Sequence, residues 1–205
     1  MAPMMTSTTN ASRRAFVRRA ASVVAAVAAV ALLGTQAVAA PAPLQAVCDL
    51  HFTGTSTLHE FHGTAPTFTL PVQTADLAGH WKTEAAVEVH SMVTANSSRD
   101  SNMWAMFDDR HWPQIKANFP DIDAAAAGAA KRISFQLTIR DVTREVVATV
   151  TSWQQDADKV VFDADFDVSL MAFGLEAPSV LGLIHVGDAV AVGVHVVVTR
   201  TPAGA

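Results

Sequence analysis

Residues 85–107 read AAVEVHSMVTANSSRDSNMWAMF and combine the pattern of a strand with that of a helix. Val87 and Val89 alternate with polar residues, which is the two-residue period of a strand with one buried and one solvated face. A polar turn follows, and apolar residues then recur at helical spacing over residues 99–110. One apolar-faced helix beside such a strand predicts a barrel wall joined to a cover at its end.

The two-residue period recurs along the rest of the chain. Its clearest example is RISFQLTIR at residues 132–140, and four more alternating segments cover residues 48–53, 67–72, 162–169 and 190–198. The turn-like residues 141–144 are few enough to join two antiparallel strands. We therefore predict seven to nine antiparallel strands. Residues 121–130, rich in alanine, are interpreted as a surface excursion with at most one helical turn.

Alternation alone does not separate a sandwich from a barrel. The long first and last strands can pair and close a sheet, which favours a barrel. The inward faces are uniformly apolar, and the interior of a small barrel is either filled by side chains or left open for one ligand.

The first forty residues have the pattern of an export signal. SRRAFVR at residues 12–18 is close to a twin-arginine motif, and an alanine-rich apolar run covers residues 20–33. Ala-Val-Ala at residues 37–39 suits signal peptidase. We predict a signal peptide over residues 1–40, removed on export by the twin-arginine or the Sec route, and a mature domain over residues 41–205. The expected location is periplasmic or extracellular, without stable membrane insertion, because the apolar run is short for a membrane span.

The charge of the mature chain limits its partners. Removal of the leader leaves ten basic and nineteen acidic residues, a formal net charge of −9. An acidic domain without a basic stripe does not suit nucleic acid. Cys48 is the only cysteine, so an intrachain disulfide is excluded, and we interpret this residue as a small buried apolar side chain. The oligomeric state is not indicated.

Four motifs resemble those of one known family. They are FTGTSTLH at residues 52–59, the block at 91–103, LTIRDVTR at 137–144, and FGL at 173–175 followed by GDAV at 187–190. In this order they resemble the YceI-like family of lipocalin-like, polyisoprenoid-binding proteins of the bacterial periplasm. Asp141 stands where the family usually has glycine, and tyrosine is absent.

The resemblance implies an all-β fold, an eight-stranded antiparallel lipocalin-like β-barrel with one short helix near one end. It also implies an elongated apolar channel that holds a long-chain isoprenoid or a similar amphiphilic lipid, with no cofactor. Arg99, near the start of the helix, is a candidate contact for the headgroup of the ligand, although a structural ion pair is an equal alternative.

The residues expected to line the channel come from the inward faces of the strands and from the apolar face of the helix. They are Leu50, Phe52, Val87, Val89, Met103, Met106, Phe107, Ile133, Phe135, Leu137, Phe162, Phe166, Val192 and Val194.

Other classes of function remain as alternatives. A filled barrel would act as a structural or stress-related partner-binding domain, in which an exposed tryptophan marks the interface. His59 and His62 suggest zinc or copper, but residues three apart on a strand face opposite ways, so we predict no metal site. No nucleophile elbow or phosphate loop is present, and the carboxylates Asp163 and Asp165 alternate on a wet strand face. We therefore do not predict an enzyme.

Overall fold

The protein is described by a computed structural model that covers residues 42–177, 179–180 and 184–201. The predicted signal peptide over residues 1–40 lies outside the described residues, so its assignment stays a prediction.

Strands make up most of the described chain. They are β1 (Leu44–Ser56), β2 (Glu60–Thr64), β3 (Phe68–Val72), β4 (His80–Glu88), β5 (Gln114–Asp123), β6 (Arg132–Ile139), β7 (Val142–Gln155), β8 (Lys159–Ser169), β9 (Ser179–Val180) and β10 (Ile184–Arg200). The α-helices in the described residues are α1 (Ser97–Phe107) and α2 (Ala124–Ala130), and 3₁₀ turns cover Val89–Ser91 and Met171–Phe173.

The strands form one curled antiparallel sheet in the order β2-β1-β10-β8-β7-β6-β5-β4. Both β2 and β3 pair with β1, at His51–Thr55 and Leu44–Cys48 respectively, so together they fill one strand position. The curled sheet meets itself where the N–H of Gln73, just after β3, donates to the Lys82 carbonyl on β4 at 2.9 Å. Eight strand positions therefore surround one core, as the resemblance implied.

The first and last long strands pair, as expected, from Leu44 opposite Arg200 to Gly54 opposite Val190. This pair lies inside the sheet, however, and the sheet closes between β3 and β4. Alternation along single strands does not predict this closure because it depends on which strands become neighbours in space.

Two strands carry one extra residue each near the same end of the barrel. In β7 the pairing with β8 shifts between Val150 and Ser152, so Trp153 lies opposite Phe162. In the β4–β5 pair, Trp81 faces Ile122 whereas Thr83 faces Phe119, so the extra residue lies on β5. A bulge of this kind reverses the direction of the side chains beyond it.

Helix α1 begins earlier and ends earlier than the predicted range of 99–110. The Asn96 side chain accepts a hydrogen bond from the Arg99 N–H at 3.0 Å, which fixes the start of the helix at Ser97. Asp108 has a left-handed backbone, with φ of 53°, and this ends the helix after Phe107.

Helix α2 corrects the interpretation of residues 121–130 as a surface excursion. Strand β5 continues to Asp123, whose side chain accepts the Ala126 N–H at 3.0 Å and caps the helix. Ala124 and Ala127 are buried, with exposed fractions of 0% and 4%. Because alanine side chains are small, the helix can lie directly against the end of the barrel.

Candidate functional site

The barrel encloses a cavity of about 490 Å³. This volume lies within the usual range for small-molecule sites, about 300–1,000 Å³. The walls are apolar side chains from the inward faces of the strands, and helix α1 contributes Met103, Met106 and Phe107 at one end.

Nearly all the residues predicted to line a channel lie on this cavity. They are Leu50, Phe52, Val87, Met103, Met106, Phe107, Ile133, Phe135, Leu137, Phe162, Phe166, Val192 and Val194, together with Arg99. The structure thus places them around one space, and their contact with a ligand stays a prediction.

Val89 is the exception and its predicted position is wrong. Strand β4 ends at Glu88, and Val89 begins the 3₁₀ turn, where its N–H donates to the Pro113 carbonyl at 2.8 Å. Its side chain is 1% exposed but is not part of the cavity wall. The alternation thus predicts correctly that Val89 is buried and incorrectly that it lines the cavity.

The part of the wall that belongs to β5 was not among the predicted residues. Ile115, Ala117 and Phe119 line the cavity there. They alternate with polar residues, so the same two-residue period could have predicted this strand. Phe119 stacks on Phe135, with ring centroids 4.9 Å apart, and Phe135 meets Phe166 edge to face at 5.2 Å. These rings make the middle of the wall rigid and apolar.

One end of the cavity, called the closed end here, is blocked by aromatic rings and helix α2. Trp81 lines the cavity, is 2% exposed, and donates its indole N–H to the Asp76 carbonyl at 3.1 Å. Trp153 stacks on Trp81 at 5.9 Å between ring centroids and on Phe162 at 5.1 Å. Gly128 of α2 lies so near the Trp153 indole that a Cβ there would come within 2.8 Å of Nε1.

The opposite end, called the polar end, is formed by the β1–β2 turn and the start of α1. Almost all the polar side chains of the cavity wall lie there, namely Ser56, His59, Asn96, Ser98, Arg99 and Asn102. No carboxylate belongs to the wall in the part of the chain described. The cavity is thus an apolar tube with hydrogen-bonding groups at one end.

Arg99 is the cation of the polar end. Its Nε donates to the Thr94 hydroxyl and its Nη2 to the Thr94 carbonyl, both at 2.8 Å. The guanidinium lies over the Phe61 ring, 4.6 Å from the centroid. Among the described residues it has no ion pair with a carboxylate, and its second terminal nitrogen makes no hydrogen bond there. The suggested structural ion pair is therefore absent from the described contacts.

Asp100 anchors the helix start from the opposite side. It is 6% exposed and accepts the Thr94 N–H at 2.8 Å together with the Thr94 hydroxyl. Burial of a carboxylate is tolerated when such hydrogen bonds replace water. Thr94 therefore links two neighbouring residues of α1, Arg99 and Asp100, to the segment that follows β4.

The far part of α1 is held by a second group of contacts. Trp104 donates its indole N–H to the Met92 carbonyl at 3.0 Å, and its ring stacks on His90 at 3.9 Å. His90 also hydrogen-bonds Asp109 at 2.8 Å. Both ends of α1 are thus tied to the segment after β4, which keeps the apolar face of the helix over the cavity.

The carboxylate Asp163 lies on the outer face of β8 and pairs with a histidine. His195 hydrogen-bonds Asp163 at 2.6 Å, and the Ser152 hydroxyl donates to the second oxygen of Asp163. These bonds, that from Ser152 first, lower the pKa of Asp163. His62 contacts Thr53 at 3.0 Å, whereas His59 lies at the polar end. No cluster of three or more His, Cys, Asp or Glu side chains suited to a metal ion occurs among the described residues.

Cys48 lies in the cavity wall and is a buried free thiol. Burial, with a smaller contribution from Asp49, raises its pKa to about 12. The thiol is therefore fully protonated near neutral pH and acts as an apolar wall group, since only the thiolate is a good nucleophile.

Comparison with known proteins agrees with this architecture. The sequence profile of the YceI-like domain matches residues 43–198, so the chain belongs to the YceI-like family. No curated protein matches the sequence significantly. Within the described residues, no helix combines the length and apolar character needed to cross a membrane.

Solved structures of low sequence identity share the fold. A polyisoprenoid-binding domain from Saccharophagus degradans is 15% identical with a TM-score of 0.58, covering 77% of this chain and 98% of that one. BcnA from Burkholderia cenocepacia is 18% identical with a TM-score of 0.58, covering 73% and 95%. The YceI protein of Campylobacter jejuni is 16% identical with a TM-score of 0.51, covering 68% and 85%.

Proposed function

We propose that this protein is an exported, non-catalytic binding protein that holds the chain of a long-chain isoprenoid, or of a similar amphiphilic lipid, inside its barrel. The observation that carries the proposal is the apolar cavity of about 490 Å³ with polar groups at one end only. An amphiphile likewise has an apolar chain with a polar group at one end. The similar fold of a polyisoprenoid-binding domain from Saccharophagus degradans supports the choice of ligand class.

The energetics of chain burial suit this role. Burial of one methylene group contributes about 0.8 kcal/mol, so a five-carbon prenyl unit contributes roughly 4 kcal/mol before ordering costs. Ordering a flexible chain and its wall offsets part of this gain. A few buried units therefore suffice for useful affinity, and an apolar wall distinguishes poorly between chains of similar thickness.

The headgroup belongs at the polar end in this proposal. Arg99 has donors left after its two bonds to Thr94, and Asn96, Ser98 and Asn102 lie beside it in the cavity wall. One arginine with neutral donors suits a carbonyl, hydroxyl or singly charged oxygen group better than a multiply charged one, because a buried anion needs balancing charge.

The proposed location rests on the leader sequence alone. Residues 1–40 combine paired arginines, an apolar run and small residues near the cleavage point. N-terminal sequencing of the protein recovered from the periplasm or medium tests this, and a mature chain that begins near residue 41 is expected. An uncleaved chain in the cytoplasmic fraction would contradict it.

Native mass spectrometry of the isolated protein, with extraction and identification of any bound lipid, tests the function directly. We expect a bound amphiphile, or uptake of an added prenyl quinone by the empty protein. An empty protein that takes up no prenyl lipid would instead favour the filled-barrel, partner-binding alternative.

A charged substitution in the wall gives a sharper test. Phe135 is 3% exposed and contacts two other rings of the wall, so Phe135→Asp places a carboxylate in the apolar cavity. We expect the variant to lose uptake of the prenyl quinone, because an unpaired buried charge is strongly unfavourable. Ser134→Asp, on the outer face of β6, is the matched control and should bind normally. Circular dichroism must show that both variants are folded. Normal uptake of the prenyl quinone by folded Phe135→Asp would contradict the proposal.

A further inference from the structure

The closed end of the cavity has a construction that differs from the rest of the wall. The side walls and Trp81 follow from simple alternation, whereas Ile122 and Trp153 reach the closed end because of the two bulges. The extra residue in β7 brings Trp153 opposite the inward-facing Phe162, and the extra residue on β5 brings Ile122 opposite Trp81. Without these insertions, alternation would direct Trp153 and Ile122 out of the barrel. Both bulges thus turn large side chains into the barrel at its closed end.

The rings at the closed end are held in place by specific contacts. The Trp81 indole is fixed by its hydrogen bond to the Asp76 carbonyl and by its stack on Trp153. Trp153 is in turn packed between Trp81, Phe162 and the backbone of α2 at Gly128. These contacts oppose rotation of both rings, because protein interiors are close-packed.

In the part of the chain that the structure describes, buried side chains form a further layer beyond these rings. The residues of the last layer are almost inaccessible to solvent, with exposed fractions of 1% for Leu44, 0% for Val160 and 1% for Val198. The polar groups of the wall lie mostly at the other end of the tube. A ligand with its headgroup at the polar end therefore points the tip of its tail at Trp81.

We propose that Trp81, backed by Trp153 and helix α2, is the floor of the cavity and sets the longest prenyl chain that the protein encloses. The inference rests on the proposed function and adds a selection by chain length to it. Each further isoprene unit gains affinity until the tail meets the Trp81 ring. Beyond that length an extra unit must stay in water or bend, so the gain stops.

A series of linear prenyl alcohols from geraniol to solanesol tests the proposal, with the dissociation constant of each measured by displacement of a fluorescent fatty-chain probe. For the unaltered protein, affinity should rise with length and then level off or fall at one chain length. In Trp81→Phe and Trp153→Phe, which lower the floor, this break should move to a longer homologue.

Phe166→Leu is the matched control, because it removes a comparable part of a ring from the middle of the wall. It should change the affinity for every chain that reaches it and leave the break at the same length. Circular dichroism checks the fold of each variant. If Trp81→Phe does not fold, then Trp153→Phe and Ile122→Ala provide the test.

The outcomes separate the floor from the identity of the ligand. If the break falls at the same chain length in the unaltered protein and in all folded floor variants, or if no break occurs, Trp81 does not act as the floor. The same series is repeated with straight-chain alcohols. Straight-chain alcohols could bind with a break that moves in the floor variants, while prenyl alcohols do not bind. In that case Trp81 is the floor of the cavity and the isoprenoid proposal fails. If neither series binds, both fail.

Discussion

At the scale of single residues, the structure gives the two residues at the start of α1 different tasks. Asp100 is buried and both hydrogen bonds of its side chain come from Thr94, so its role is to anchor the helix. Arg99 is half-buried, lies in the cavity wall, and uses only part of its donors on Thr94. Neighbours in sequence thus serve stability and, in our proposal, ligand recognition.

Arg99→Gln should lower the affinity for a prenyl lipid with a polar headgroup by about ten- to a hundredfold, because a hydrogen bond to a charged group contributes roughly 1.5–3 kcal/mol. The affinity for a prenyl hydrocarbon of the same length should change much less. Arg110→Gln, an exposed arginine just after the helix, is the control. An equal loss for both ligands would show that Arg99 acts only by holding α1.

At the scale of elements, the two helices close opposite ends of the barrel by different means. Helix α1 is tied to the segment after β4 through hydrogen bonds at both of its ends. Helix α2 instead packs directly, with Gly128 against the Trp153 ring. The first arrangement depends on polar contacts near solvent, whereas the second depends on a close fit.

The anchor of α1 is tested by Asp100→Ala. Loss of the carboxylate leaves the buried Thr94 N–H without a partner, so we expect the free energy of unfolding to fall by roughly 1–3 kcal/mol. Asp109→Ala removes only the bond to the exposed His90 and should change it by at most about 1 kcal/mol. Urea denaturation measures both, and equal losses would count against a special role for Asp100. The Asp100 variant should also release bound lipid faster.

The fit of α2 is tested by a double-mutant cycle between Gly128 and Trp153. Helix propensity alone would make Gly128→Ala stabilising by about 1 kcal/mol. The new Cβ would lie 2.8 Å from the indole nitrogen, and such overpacking usually costs about 1–3 kcal/mol, so we expect net destabilisation or, at best, no gain.

In the Trp153→Phe background the smaller ring leaves room for the Cβ. Gly128→Ala should therefore be less harmful there or stabilising, again measured by urea denaturation. An identical effect of Gly128→Ala in both backgrounds would refute the close contact, because the cycle isolates the coupling between the two positions.

At the scale of the whole molecule, several carboxylates and histidines of the outer surface form hydrogen-bonded pairs that link neighbouring elements. Asp188 of β10 accepts the Ser169 hydroxyl at 2.6 Å and the Met171 N–H at 2.7 Å. These bonds, with Ser169 first, lower the pKa of Asp188. On another face, the hydrogen bond from His80 to Asp121 at 2.8 Å raises the pKa of His80.

These shifts give the dependence of stability on pH. A lowered aspartate pKa contributes stability above the ordinary carboxyl pKa, and this is lost as the pH falls through the lowered value. The raised pKa of His80 contributes stability below the ordinary histidine pKa, and this is lost as the pH rises through the raised value. We therefore expect the described pairs to favour mildly acidic pH, with a loss of stability in strong acid.

Urea denaturation from about pH 6 to about pH 2 checks the acid side of this profile. Asp188→Asn should be less stable than the unaltered protein at the upper end, and the two should converge at the lower end, where both side chains are neutral. Asp167→Asn, an exposed carboxylate on β8, should follow the unaltered protein throughout. A constant difference between Asp188→Asn and the unaltered protein would contradict the assignment.

Most of the strands, and which of their faces is apolar, follow from the alternation of apolar and polar residues. Alternation is a local property, and the residues that it predicted to face inward include Phe135, Phe162 and Val192, which line the cavity. It also indicated one helix with an apolar face, because the period of 3.6 differs from that of a strand. Family motifs added the barrel and the expected class of ligand.

The point at which the barrel closes and the point at which the cavity ends are set by contacts between segments far apart in the chain. Closure depends on the contact of β3 with β4, and two bulges bring Ile122 and Trp153 to the closed end beside Trp81. One extra residue in a strand leaves no mark in its composition yet reverses every side chain beyond it. The physical reason is that register and closure are set by pairing between distant segments, which no local period records.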